Sequence, residues 1–89
     1  MIDIETKSGF KCEIEEDIFD DAEFVDFLSS DDARTSLGKI AIHLLGEDGK
    51  VKLYNHLRDD TGKVRFSRVE AELIEIMNEA SRKSKEAKK

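Results

Sequence analysis

The sequence has no proline and no tryptophan, and it has a single cysteine. Without proline, no helix is interrupted by that residue, and without tryptophan the largest aromatic anchor for binding is absent. Cys12 cannot form a disulfide within the chain, which favours a reducing compartment. No apolar run approaches the roughly 18 residues of a membrane span, and no apolar N-terminal segment indicates export. The sequence therefore predicts a cytoplasmic protein with no membrane partner.

Basic residues are outnumbered by acidic ones. The 89 residues carry 15 lysines and arginines against 21 acidic residues, a net charge of −6. Residues 1–48 hold 14 acidic and 4 basic side chains (−10), and residues 49–89 hold 7 and 11 (+4). An acidic chain is poorly suited to phosphate backbones, so we expect no nucleic-acid partner. The uneven charge favours head-to-tail self-association into a homo-oligomer, or it is the ordinary solvated surface of a small helical protein.

The first fifteen residues alternate between apolar and polar side chains. Ile2 and Ile4 share one face of the first run, and Phe10, Cys12 and Ile14 share one face of the second. Two runs of period two around a turn at residues 7–9 predict a β-hairpin with one solvated face. Because a lone hairpin is marginally stable, its apolar face must pack on helices.

The rest of the chain has helical periodicity. It predicts helices over residues 16–28, 34–45, 48–58 and 67–80, with Gly46 ending the second and a capping box of Ser67 and Glu70 beginning the last. Gly38, inside the second helix, indicates a close approach by another element. The predicted fold is α+β, a hairpin packed on about four helices in one domain (1–80), followed by a disordered, Lys-rich tail (81–89).

Residues that could carry chemistry do not form a recognisable motif. His43, His56 and Cys12 lack the spacing of a metal site, and no glycine-rich loop could hold a phosphate. Cys12 is interpreted as a small buried hydrophobe, and residues 59–62 as a plain turn. A chain this short has little material for a concave pocket. We therefore predict a protein that is not an enzyme and that has no metal or cofactor.

The first predicted helix is rich in phenylalanine. Ile18, Ala22, Val25 and Leu28 form its predicted stripe, and the three phenylalanines widen it beyond one narrow face. Either this stripe faces the core, or one apolar edge is exposed and binds a partner helix. The candidate partner-binding residues are Phe19, Phe24, Phe27 and Leu28.

Four segments in this order resemble the small tail assembly chaperones of long-tailed phages and prophages of Gram-positive bacteria. They are SGFKCEI at 8–14, DDAEFVDFL at 20–28, LLG at 44–46 and LRDDTGKV at 57–64, followed by a final helix and a Lys-rich end. The resemblance covers nearly the whole chain. Ala22 departs from it, because the family often has an aromatic residue after the aspartate pair.

This resemblance implies a function. Such chaperones bind the long, aggregation-prone tape measure protein in the host cytoplasm until the tail tube polymerises around it, and they are absent from the mature virion. In many members a frameshifted longer form recruits the tail tube protein. If the phenylalanine edge binds the tape measure protein, Phe24→Asp or Phe27→Asp should weaken that binding.

Two other classes compete with a chaperone. The acidic first half could mimic DNA and inhibit a nucleic-acid-binding protein, although the basic second half argues against uniform mimicry. A nucleic-acid binder acting through the terminal lysines is disfavoured by the net charge.

Overall fold

The predicted hairpin is present in the structure, a computed structural model that describes residues 1–30 and 37–87. Strand β1 (Ile2–Glu5) pairs antiparallel with β2 (Lys11–Ile14), and Ile2 lies opposite Ile14. Gly9 has a positive φ of 92° in the turn, and its N–H donates to the carbonyl of Thr6 at 2.9 Å. The alternation in sequence therefore placed both the strands and their apolar face correctly.

The segment after the hairpin is not one helix over residues 16–28. A 3₁₀ turn (Ile18–Asp20) precedes a short helix α1 (Ala22–Leu28), and Asp21 between them has an extended backbone. The break shifts the helical phase. As a result Phe24 is buried, whereas Val25 and Ala22 are exposed, which corrects the predicted stripe.

Helix α2 (Leu37–Leu57) contains both the second and the third predicted helices, bent at Gly46. Gly46 has φ 78° and ψ 171°, a conformation that is strongly disfavoured for residues with a side chain, so the predicted stop at this position is real. Beyond Gly46 the chain is helical again and turns back, so that Lys50 and Tyr54 lie near Gly38 at the start of α2. An ideal Cβ on Gly38 would lie 3.2 Å from Nζ of Lys50 and 3.5 Å from the hydroxyl of Tyr54, which is the close approach that this glycine predicted.

Helix α3 (Phe66–Ala87) begins one residue earlier than predicted and extends further. Because Arg65 accepts the first backbone bonds, from Arg68 and Val69, Ser67 lies inside the first turn and is not the N-cap. A disordered tail from residue 81 is not confirmed, since the helix continues through Ala87; residues 88 and 89 lie outside the described residues.

The core lies where the hairpin meets the two longer helices. Strand β1 packs against α3 and β2 packs against α2. The buried side chains come from every element: Ile2, Ile4, Phe10, Ile14, Ile18, Phe24, Ile40, Ala41, Leu44, Leu53, Leu57, Val69, Leu73, Ile76 and Ala80. The fold is α+β as predicted. The described residues form three α-helical elements, and α2 holds the second and third predicted helices on either side of the non-helical Gly46. The predicted start of the second helix at Arg34 falls outside the described residues.

Candidate partner-binding site

Helix α1 is fixed at its start by Asp21. The Asp21 carboxylate accepts hydrogen bonds from the backbone N–H groups of Glu23 (3.0 Å) and Phe24 (3.4 Å). These bonds satisfy two of the donors that a helix leaves open at its N-terminus. The cap thereby sets which side chains of this seven-residue helix face the core.

The four candidate residues do not have equal access to solvent. Phe24 is 1% exposed and belongs to the core, so its side chain is not available for contact. Phe19, Phe27 and Leu28 are half-buried and pack against that core. Their role as contact residues remains a prediction, whereas Phe24 is assigned a supporting position beneath them.

Val25 is exposed, although the sequence analysis put it in the helical stripe and not among the candidate contact residues. It is 41% exposed, next to Phe24, and it lies one helical turn from Leu28. The signal that could have revealed it is the Asp-Asp pair at residues 20 and 21, because an aspartate N-cap restarts the helix there. We call Phe19, Val25, Phe27 and Leu28 together the α1 edge; within α1, Val25 and Leu28 lie on one flank of the buried Phe24 and Phe27 lies on the other.

An aromatic series joins the α1 edge to helix α2. The ring centroid of Phe24 lies 6.1 Å from that of Phe19 and 5.8 Å from that of His43, and Phe27 lies 5.2 Å from His43. All three pairs are tilted, a favourable arrangement for aromatic rings. The exposed His43 is therefore part of this aromatic cluster.

The other chemically active side chains have structural partners. Nε2 of His56 lies 3.0 Å from Oγ of Ser8 and 3.2 Å from its carbonyl oxygen, at the tip of the hairpin. Burial, and secondarily the charge of Glu72, raise the pKa of the half-buried Cys12 thiol to about 11, which is unsuited to a nucleophile. Within the described ranges, no three His, Cys, Asp or Glu side chains are placed to hold a metal ion.

Residues 59–62 form the predicted turn. The Asp59 carboxylate accepts hydrogen bonds from the hydroxyl and N–H of Thr61, from Nε of Arg65 at 2.7 Å and from the N–H of Lys63 at 3.1 Å. These bonds, that of the Thr61 hydroxyl foremost, lower the pKa of Asp59 well below its ordinary value. The Asp59 carboxylate is therefore occupied by hydrogen bonds within the turn and is assigned a structural role there.

No model of a protein family, no curated protein and no solved structure matches this chain. Among residues 1–30 and 37–87, none of the helices combines the length and apolar content needed to cross a bilayer.

Proposed function

We propose that this protein is a phage tail assembly chaperone that binds the tape measure protein, prevents its aggregation and helps the tail tube polymerise around it. The observation that carries the proposal is the α1 edge. Val25 is 41% exposed and lies beside the half-buried Leu28, on a helix whose other exposed side chains are Ala22, Glu23 and Asp26. Neighbouring apolar side chains with a polar rim are typical of a surface that receives an apolar stripe of another helix.

The α1 edge suits weak and reversible binding. Its apolar side chains are few, and Phe24 beneath them is fixed in the core, so little ordering accompanies contact. Many copies engaging one long helix would gain by multivalency, provided that neighbouring copies bind at the same time. Each copy would release readily when the tail tube protein displaces it. The proposed site of action is the host cytoplasm, with no chaperone in the mature virion.

A longer form that recruits the tail tube protein belongs to the same proposal. Lys83, Lys85, Lys88 and Lys89 are compatible with the A-rich codons on which ribosomes shift frame. The gene sequence tests this part on its own. A slippery heptamer followed by an overlapping reading frame supports it, and the absence of both rejects it.

Co-expression with the tape measure protein tests the chaperone function. The measurement is the fraction of tape measure protein that stays soluble and co-purifies with the chaperone. Val25→Asp places a charge on the α1 edge without filling or emptying the core, and we expect at least about a fivefold loss of co-purified protein. Leu28→Asp should act in the same direction.

Ile74→Asp is the matched control. Ile74 is 49% exposed on helix α3, so the substitution makes the same chemical change on a different element. Circular dichroism and thermal unfolding confirm that each variant is folded. If folded Val25→Asp and Leu28→Asp keep the tape measure protein as soluble as the wild type does, the α1 edge is not the binding surface. If the wild type itself gives no gain in solubility, the chaperone function is rejected.

A further inference from the structure

A groove runs along the connection between β2 and α1 and past the bend of α2. It consists of two adjoining hollows that share Glu15, Ile18 and Asp21. The larger hollow, about 370 Å³, reaches the bend, where Ile42, Leu45 and Gly46 line it. His43 lines the same hollow and its ring contacts Phe27, so the groove adjoins the Phe27 flank of α1. We call the groove the acidic groove.

The charge of the acidic groove is predominantly negative. None of the described residues that line it is lysine or arginine. Five carboxylates line it: Glu13, Glu15, Asp17, Asp20 and Asp21. The amino group of Met1, which also lies there, is 3.5 Å from Oε1 of Glu16. Like charges at this density repel one another, and a cationic occupant would relieve the repulsion.

A metal ion is not the occupant that the geometry favours. In the part of the chain that the structure describes, these carboxylates do not converge into a group that could hold an ion. They are spread along a groove that also exposes apolar surface. Ile42 is 37% exposed, and the half-buried Leu45 lies beside it. An elongated occupant with both basic and apolar side chains matches this combination better than a point charge does.

We propose that the acidic groove binds a basic, amphipathic helical segment of the partner protein. The segment's apolar stripe would lie on Ile42 and on the Phe27 flank of α1, and its lysines or arginines would face Glu13, Glu15 and Asp17. This inference rests on the proposed function, because it names the chemistry of the tape measure segments that the chaperone takes. The inference adds that a partner helix with an apolar stripe but no basic side chains binds this protein more weakly.

Two designed helical peptides of about 20 residues test the inference. They share one leucine stripe, and the residues flanking the stripe are lysine in one peptide and glutamine in the other. Binding to the full chain is measured by fluorescence anisotropy at about 50 mM and about 500 mM salt. We expect the lysine peptide to bind roughly tenfold more tightly at low salt and to lose most of that advantage at high salt.

The matched protein variants assign the effect to the groove. Glu13→Gln, Glu15→Gln and Asp17→Asn together neutralise three exposed acids in the groove, whereas Glu5→Gln, Asp60→Asn and Glu70→Gln neutralise three exposed acids elsewhere. Both triple variants have the same net charge. Only the groove variant should lose its tighter binding of the lysine peptide relative to the glutamine peptide. Asp21 is left unchanged because it caps α1.

The outcomes separate the inference from the proposed function. Equal binding of the lysine and glutamine peptides overturns the inference and leaves the chaperone function standing. An equal loss in both triple variants also overturns it, because the effect then comes from net charge. If neither peptide binds while the tape measure protein is still kept soluble, the inference fails alone. If that solubilisation is absent too, both fail.

Discussion

The backbone N–H of Lys7, in the hairpin turn, donates a 2.8 Å hydrogen bond to Oε2 of Glu75 on helix α3. The two residues are 68 positions apart in the chain. On the other side of the turn, Ser8 contacts His56 of α2. The tip of the hairpin is therefore attached to both long helices, in addition to the apolar face that packs beneath it.

Glu75→Ala should loosen this attachment. The substitution leaves the N–H of Lys7 without its carboxylate acceptor, and we expect a loss of about 1 kcal/mol in the free energy of unfolding. Urea denaturation measures the loss, and amide hydrogen exchange at Lys7 should be faster. Asn78→Ala, an exposed substitution on the same helix, is the control. Unchanged exchange at Lys7 in Glu75→Ala would show that the bond does not hold the turn.

Cys12 should react slowly with thiol reagents. Its pKa is raised from 9.0 to about 11, first by burial and second by Glu72, so about 100-fold less thiolate is present at pH 8 than in an unfolded chain. Glu72 is itself 7% exposed, and its Oε2 has no hydrogen-bond partner. Alkylation rates in native and denatured protein measure the difference.

Glu72→Gln separates the two causes of this slow reaction. Removing the negative charge favours the thiolate, so the pKa of Cys12 should fall and its alkylation should be faster, while burial keeps the rate below that of the denatured protein. Glu70→Gln, an exposed change on the same helix, should leave the rate unchanged. A rate in Glu72→Gln equal to that of the wild type would show that the charge of Glu72 does not reach the thiol.

The sequence predicted best where local pattern and tertiary burial agree. The hairpin register follows from alternation, because a slip of one residue would expose Ile2 and Ile14. On α3, Val69, Leu73 and Ile76 are buried as their spacing predicts. In both cases one face of a regular element meets the core, and the period alone identifies that face.

The prediction was wrong where a break changes the phase. Helical spacing counted from Ile18 put Val25 in the stripe, but the extended backbone of Asp21 restarts the helix and buries Phe24 instead. The aromatic pairing of Phe27 with His43 depends on how α1 crosses α2, which no local spacing encodes. Of the four candidate residues, Phe24 is buried and Phe19, Phe27 and Leu28 are half-buried, and it stays a prediction that this segment binds a partner.

Gly46→Ala should destabilise the bend of α2. With φ 78° and ψ 171° the position has a backbone that side chains disfavour, although no atom lies within 4 Å of an added Cβ. The expected cost is about 1–3 kcal/mol of unfolding free energy, measured by thermal or urea denaturation. It would arise from the backbone alone, since no side chain clashes.

Gly38→Ala is the contrasting substitution in the same helix. An added Cβ there meets only the flexible end of Lys50 and the hydroxyl of Tyr54, and alanine favours the helix. We expect a change in stability within about 1 kcal/mol of zero. Equal losses in the two variants would show that the bend imposes no special backbone demand at Gly46.

The hydrogen bonds of Asp59 in its turn should make the free energy of unfolding fall as the pH is lowered into the acid range. Because its hydrogen bonds lower the pKa of Asp59 in the folded chain, its contribution is complete above the unfolded pKa of about 4 and is lost as pH falls toward the folded value. Asp59→Asn removes the charge that Arg65 and Thr61 stabilise. The variant should therefore be less stable than the wild type at pH 7, and the difference should shrink below about pH 4. Urea denaturation across this range measures both, with the exposed neighbour Asp60→Asn as the control. A stability difference that is the same at pH 7 and pH 3 would mean that Asp59 acts through its shape in the turn and not through its charge.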